Sequence, residues 1–133
     1  MIKRYVITLV GLLCLTIISG ALSFSTENSD KKQVLRHVVT FQFKEEVTAK
    51  RRTQAIKDFV ALKDSIPGIL SFEGGQDISV EGLSKGFTHC FIITFENEQA
   101  RDAYIPHPAH IKLVEKNKPL MRDLLVVDVW GEE

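Results

Sequence analysis

Residues 34–43 read VLRHVVTFQF, and the spacing of their side chains sets the fold. Leu35, His37, Val39, Phe41 and Phe43 recur at every second position, with Arg36, Thr40 and Gln42 between them. Successive side chains of an extended chain point to opposite faces, so this run is a strand with one buried face.

Before it, FSTENSDKKQ at 24–33 is polar and aperiodic, which is the composition of a linker. Further back the chain opens MIKRYVITLVGLLCLTIISGALSFS. Lys3 and Arg4 form a basic head, Tyr5 to Ala21 is uncharged and mostly apolar, and small residues follow. That layout is a secretory signal over residues 1–23, with Ser19-Gly20-Ala21 or Ala21-Leu22-Ser23 as the cleavage triplet. An uncleaved anchor is the alternative, because the run is nearly long enough to span a bilayer. Either way the positive head stays inside and the domain lies outside the cytoplasm, secreted or periplasmic. A membrane partner is expected only if the anchor is retained. Leu12-Leu13 stand before Cys14 where a lipoprotein signal needs a small residue.

Loss of residues 1–23 removes Lys3 and Arg4 and no acid, so 17 basic and 17 acidic residues become 15 and 17, a net charge of −2. That balance gives no reason to expect nucleic acid or an anionic surface as partner. Cys90 is then the sole cysteine, so no internal disulfide can form. About 110 residues remain, enough for one domain with one core.

Beyond the strand, Thr48 is placed to cap a helix in which Ile56, Phe59, Val60 and Lys63 recur at helical spacing. Ser65-Ile66-Pro67-Gly68 stops it, and ILSFEGGQDIS at 69–79 reads as a second strand. Its Gly74-Gly75 suggests a bulge or a close backbone approach. VEGLSKGF at 80–87 is a connection, and THCFIITFE at 88–96 a third strand with His89, Phe91, Ile93 and Phe95 on one face. Asn97-Glu98-Gln99 opens a short helix through Tyr104, and a further helix runs from about Ala109 to Lys118. LLVVDVW at 124–130 closes the domain, 34–131, as a fourth strand. The order β-α-β-β-α-β is that of the split βαβ, or ferredoxin-like, α+β sandwich. Its helix-free sheet face, expected to carry Val38, Ile92, Leu124, Val126 and Trp130, is too apolar for water, so a second copy should pack there as a homodimer.

HVVTFQFKEEVT, IPGI, GFTHCFIITFE, YIPHPAH and LLVVDVW, in this order, resemble the stress-responsive A/B barrel (Dabb) domain family across residues 35–130. The resemblance implies a dimeric α+β barrel of ferredoxin-like topology. One plant member of the family is a cyclase that closes a linear polyketide by aldol condensation. By its pattern, Tyr104 and His110 are the catalytic pair and His37 and His89 are pocket histidines. The pocket walls then fall to Val39, Phe41, Ala55, Ile56, Phe59 and Val60. The helix positions among them, Ala55, Ile56, Phe59 and Val60, differ from the cyclase in size, so its substrate does not carry over.

The side chains suit such roles. A neutral His110 can take a proton alpha to a carbonyl, and Tyr104 can donate to an oxyanion or orient His110. His37 and His89 would hold hydroxyl or carbonyl groups. Taken singly, each histidine also fits a hydrogen-bonded core position, and Tyr104 fits a helix end with its hydroxyl in water. His107 reads as a helix-entry residue, Asp128 as a structural hydrogen-bonding group, and Cys90 as a small hydrophobe. His107 and His110 with His37 or His89 could supply three imidazoles to a metal, but no carboxylate or thiolate motif joins them. A metal-free site is therefore expected, with no cofactor. No Gly-rich phosphate loop, CxxC or HExxH is present. The favoured reading is an exported barrel that binds a small apolar or aromatic carbonyl compound between helices and sheet. A metal-free acid–base enzyme of cyclase, isomerase or lyase type and a purely structural dimer are the alternatives.

Overall fold

The computed structural model describes residues 32–133. The expected signal or anchor and residues 24–31 of the expected linker lie outside the described residues. Strand β1 (Gln33–Phe43) is followed by α1 (Ala49–Val60), α2 (Leu62–Ser65), β2 (Ile69–Gln76) and β3 (His89–Phe95). Then come α3 (Glu98–Tyr104), α4 (Pro108–Asn117), one 3-10 turn and β4 (Met121–Glu132). The sheet has the order β2-β3-β1-β4, and every neighbouring pair is antiparallel. Four antiparallel strands with the helices on one face make a ferredoxin-like α+β fold.

Local chemistry starts α1, α3 and α4 where the sequence suggests. The Thr48 hydroxyl accepts the Arg51 amide, the Asn97 side chain accepts that of Ala100, and His107 Nδ1 accepts that of Ala109. Pro108 occupies the first turn of α4, where its missing N–H leaves no bond unmade. The first helical segment does not run unbroken. It ends at Val60, and Ala61 relays the chain into α2, which turns Leu62 and Ile66 inward.

The buried side of the sheet carries Leu35, Val39, Phe41 and Phe43 from β1 and Phe91, Ile93 and Phe95 from β3, as their alternation predicts. Ala55, Phe59 and Leu62 close over them from α1 and α2. Gly74 has φ of +134°, and a Cβ built on it would stand 2.2 Å from the Cys90 carbonyl oxygen. Gly74 thus serves a close backbone approach, while a Cβ on Gly75 would meet nothing within 4 Å, and the register shift in β2 falls earlier, between Ile69 and Ser71.

Three expectations need correction. Strand β2 stops at Gln76, because the Asp77 carboxylate accepts the Ser79 amide and the Ser84 hydroxyl and folds the chain into a loop. Strand β4 is longer than LLVVDVW at both ends. Its faces are also the reverse of those assigned above. Register sets Trp130 opposite Leu35, Asp128 opposite His37, Val126 opposite Val39 and Leu124 opposite Phe41, so these belong to the helix side. The helix-free face instead carries Val38, Ile92, Leu125, Val127 and Val129, whose residues on β4 are 49, 45 and 46 % exposed. Alternation within a strand separates two sets but cannot say which is inside, and β4 is apolar in both.

Candidate functional site

The helices pack chiefly on β1, β2 and β3, so a gap is left beside β4. It is a cavity of ≈ 110 Å³, well above the ~15 Å³ that one water needs. Strand β1 supplies His37, Val39 and Phe41, α1 supplies Ala55 and Phe59, and β4 supplies Leu124 and Val126. The stretch from α3 to β4 contributes Tyr104, His110, Leu113, Val114, Asn117, Lys118 and Met121. The walls are mostly apolar. Their polar groups gather at two ends, His37, Tyr104 and His110 at one and Asn117 with Lys118 at the other.

His37 is held from the neighbouring strand. Its Nδ1 lies 2.6 Å from Asp128 Oδ1, the residue directly opposite in the antiparallel register. The second Asp128 oxygen accepts from Arg101 Nη1 on α3. Burial alone would push the Asp128 carboxyl up, but the hydrogen bonds from His37 and Arg101 outweigh it and hold the group below the usual carboxylate range. Asp128 thus binds two donors and stays ionised.

Tyr104 ends α3 and is 1 % exposed. Its ring meets Phe95 at 5.1 Å, His37 at 5.8 Å and His110 at 4.3 Å between centroids. Burial raises its phenol far above the ordinary value, so it remains a protonated donor at neutral pH. Pro106 and Pro108 then bend the chain back, with the His107 amide donating to the Tyr104 carbonyl. The bend sets His110 Nδ1 2.8 Å from the Ile105 carbonyl oxygen. A carbonyl can only accept, so Nδ1 carries the hydrogen and Nε2 keeps its lone pair. Burial lowers the His110 pKa most; the Ile105 bond opposes this, and nearby His37 and His107 add to the lowering. The ring is therefore a neutral imidazole with Nε2 free to accept.

Of the residues singled out by sequence, His37, Val39, Phe41, Ala55, Phe59, Tyr104 and His110 line one cavity. His89 is not among its walls. It shares the inward face of the sheet but pairs with Phe41, whereas His37 pairs with Ile93, four residues further along β3. At ~3.3 Å per residue that is about 13 Å. Its ring stacks on Phe41 at 5.3 Å and its Nδ1 meets Thr88 Oγ1 at 2.9 Å, while burial and then Arg52 lower its pKa. Ile56 packs against the core without reaching the cavity, and Val60 is 41 % exposed on the outer side of α1. Among the described residues no group of three His, Cys, Asp or Glu side chains is placed to hold a metal ion.

Sequence reasoning missed the β4 and α4 walls and the part played by Asp128 and Arg101. Leu113 lies three residues after His110, a helical spacing that marks it for the same face. No local pattern marks Asp128, whose partner is chosen by register alone.

Fold and cavity define a small ferredoxin-like α+β domain in which a tyrosine and two histidines meet at a mostly apolar pocket. The chain belongs to the stress responsive A/B barrel domain (Dabb) family, whose model matches residues 35–130. It is similar to the stress-response A/B barrel domain-containing protein HS1 of Arabidopsis thaliana, at 33 % identity over 74 % of this chain and 91 % of that protein. Olivetolic acid cyclase of Cannabis sativa is 29 % identical over 71 % of this chain and 93 % of the cyclase. A solved structure of a dimeric ferredoxin-like protein of unknown function from Jannaschia sp. CCS1 aligns with TM-score 0.64 and 28 % identity. That alignment covers 72 % of this chain and 97 % of the other.

Proposed function

We propose that this Dabb protein binds a small apolar carbonyl compound in the cavity and moves a proton on it with His110 and Tyr104. The observation that carries this is the juxtaposition of a buried phenol donor with an imidazole whose Nδ1 is already committed, at the end of an apolar pocket. The Tyr104 hydroxyl donates to the carbonyl oxygen. His110 Nε2 takes the proton from the adjacent carbon, and the C–H electron pair becomes the enolate, whose charge rests on the oxygen that Tyr104 holds. Similarity to a cyclase supports carbon-acid chemistry of this kind, since ring closure by aldol addition begins with such an enolate.

The test needs no knowledge of the natural substrate. Small alkyl and aryl ketones are incubated with the protein in D2O, and exchange of their alpha hydrogens is followed by proton NMR. Protein-dependent exchange is expected. Ligand-induced shifts at Tyr104 and His110 without exchange would leave a binding domain and remove the catalysis.

We further propose that the domain works as a homodimer joined through the helix-free face. Val38, Ile92, Leu125, Val127 and Val129 form a contiguous apolar surface there, and a related protein of the same fold is dimeric. Light scattering should give twice the chain mass, and Val127→Asp should give the monomer. A monomeric wild type at micromolar concentration would remove this interface.

The basic head and apolar run of residues 1–23 support export, with the domain acting outside the cytoplasm. Mature protein from the native cell should begin directly after Ala21 or Ser23, as read by N-terminal sequencing. A mature N-terminus at Met1 in a cytoplasmic fraction would contradict it.

A further inference from the structure

The cavity has a second imidazole that the proton transfer above does not use. His37 presents Nδ1 to Asp128, a carboxylate that can only accept, so Nδ1 carries a hydrogen. Nε2, across the ring, makes no hydrogen bond within the described residues, and His37 lines the cavity. Asp128 has no freedom to offer a proton instead, because its other oxygen is taken by the Arg101 guanidinium.

We infer that Arg101 and Asp128 are a positioning pair that fixes the tautomer of His37, making its Nε2 an acceptor for a hydroxyl group on the bound carbonyl compound. The hydroxyl clause rests on the ligand reading given above; the tautomer clause does not. The polar end of the cavity then offers one donor, Tyr104 O–H, and two acceptors, Nε2 of His110 and Nε2 of His37. A simple ketone satisfies the first two through its oxygen and its acidic carbon. It leaves His37 Nε2 stripped of water and unpaired, which a binding site penalises. A hydroxy ketone satisfies all three.

The pair has a consequence peculiar to its chemistry. In Asp128→Asn, Arg101 still offers only donors, so the amide oxygen must face Arg101. The amide NH2 group then faces His37 Nδ1 and drives the ring hydrogen to Nε2. A carboxylate that merely filled space would leave the tautomer alone. Removing the guanidinium as well, in Asp128→Asn with Arg101→Met, frees the amide to turn and should restore Nδ1–H in part.

The experiment is nitrogen NMR of the full chain labelled with 15N in its histidine rings. Wild-type His37 is expected as the Nδ1–H form, Asp128→Asn as the Nε2–H form, and the double variant as a mixture. An Nε2–H ring in the wild type overturns the positioning pair without recourse to any variant, and so does an unchanged tautomer in Asp128→Asn when circular dichroism shows it folded. The ligand clause is read separately by titrating 4-hydroxy-2-butanone and 4-methoxy-2-butanone. The hydroxy ketone should bind about tenfold tighter to the wild type, and this preference should vanish in Asp128→Asn. Equal affinities for the wild type overturn the hydroxyl clause. Binding of neither ketone sinks the ligand reading itself, while the tautomer result still decides the pair.

Discussion

His110→Ala should lower the protein-dependent alpha-exchange rate by ~100-fold or more, the usual contribution of a positioned general base. The folded domain should persist, because His110 is half-buried and contributes a single hydrogen bond to a neighbouring loop carbonyl. The pH profile gives an independent check. Burial lowers the His110 pKa, so at a given pH a larger fraction of the folded protein holds the neutral, accepting form than for a free imidazole. Exchange should therefore remain high below the ordinary imidazole value of ~6.5 and fall only at more acid pH. Tyr104→Phe should also be slow, since the donor that holds the developing oxyanion is gone. Equal rates in wild type and His110→Ala would take His110 out of the chemistry.

Phe95→Ala should be the most damaging core change, costing about 3–5 kcal/mol in denaturant unfolding. Phe95 has no exposed surface, and its ring meets both Tyr104, at 5.1 Å, and His37, at 6.1 Å. A hole there removes contacts from the core and from beneath the phenol and the imidazole together. Against a typical total of ~5–15 kcal/mol, such a loss leaves little margin. Phe95→Leu should cost less, because most of the volume is kept. A loss below about 1 kcal/mol in Phe95→Ala would mean that the cavity collapses, and that the site is not braced from behind.

Much of this molecule was legible in the chain. The alternation in 34–43 and 88–96 yields the buried strand faces, because each run keeps its phenylalanines on one side and its Arg, Thr, Gln and Glu residues on the other. Thr48, Asn97 and His107 mark helix starts through local bonds that need no tertiary context. Strand β4 resisted for the opposite reason. With valine and leucine in both sets, its inside could be found only from the pairing of His37 with Asp128. Register likewise parts the two pocket histidines that the family pattern implied, since four residues of β3 separate His89 from the position opposite His37. Asp128 reads as a hydrogen-bonding residue in the sequence, but its partners, His37 across the sheet and Arg101 on α3, are named by no local pattern.

The two ends of YIPHPAH reach the cavity, while its bulk is set by residues on other elements. Ala55 and Leu113 stand on helices that carry none of the proton-handling groups except His110 at the very start of α4. Size and shape can therefore drift by substitutions such as Ala55→Val or Leu113→Ala without disturbing the phenol, the imidazoles or the bend that sets them. If the proposed chemistry holds, such a layout separates the groups that move the proton from those that decide which molecule fits.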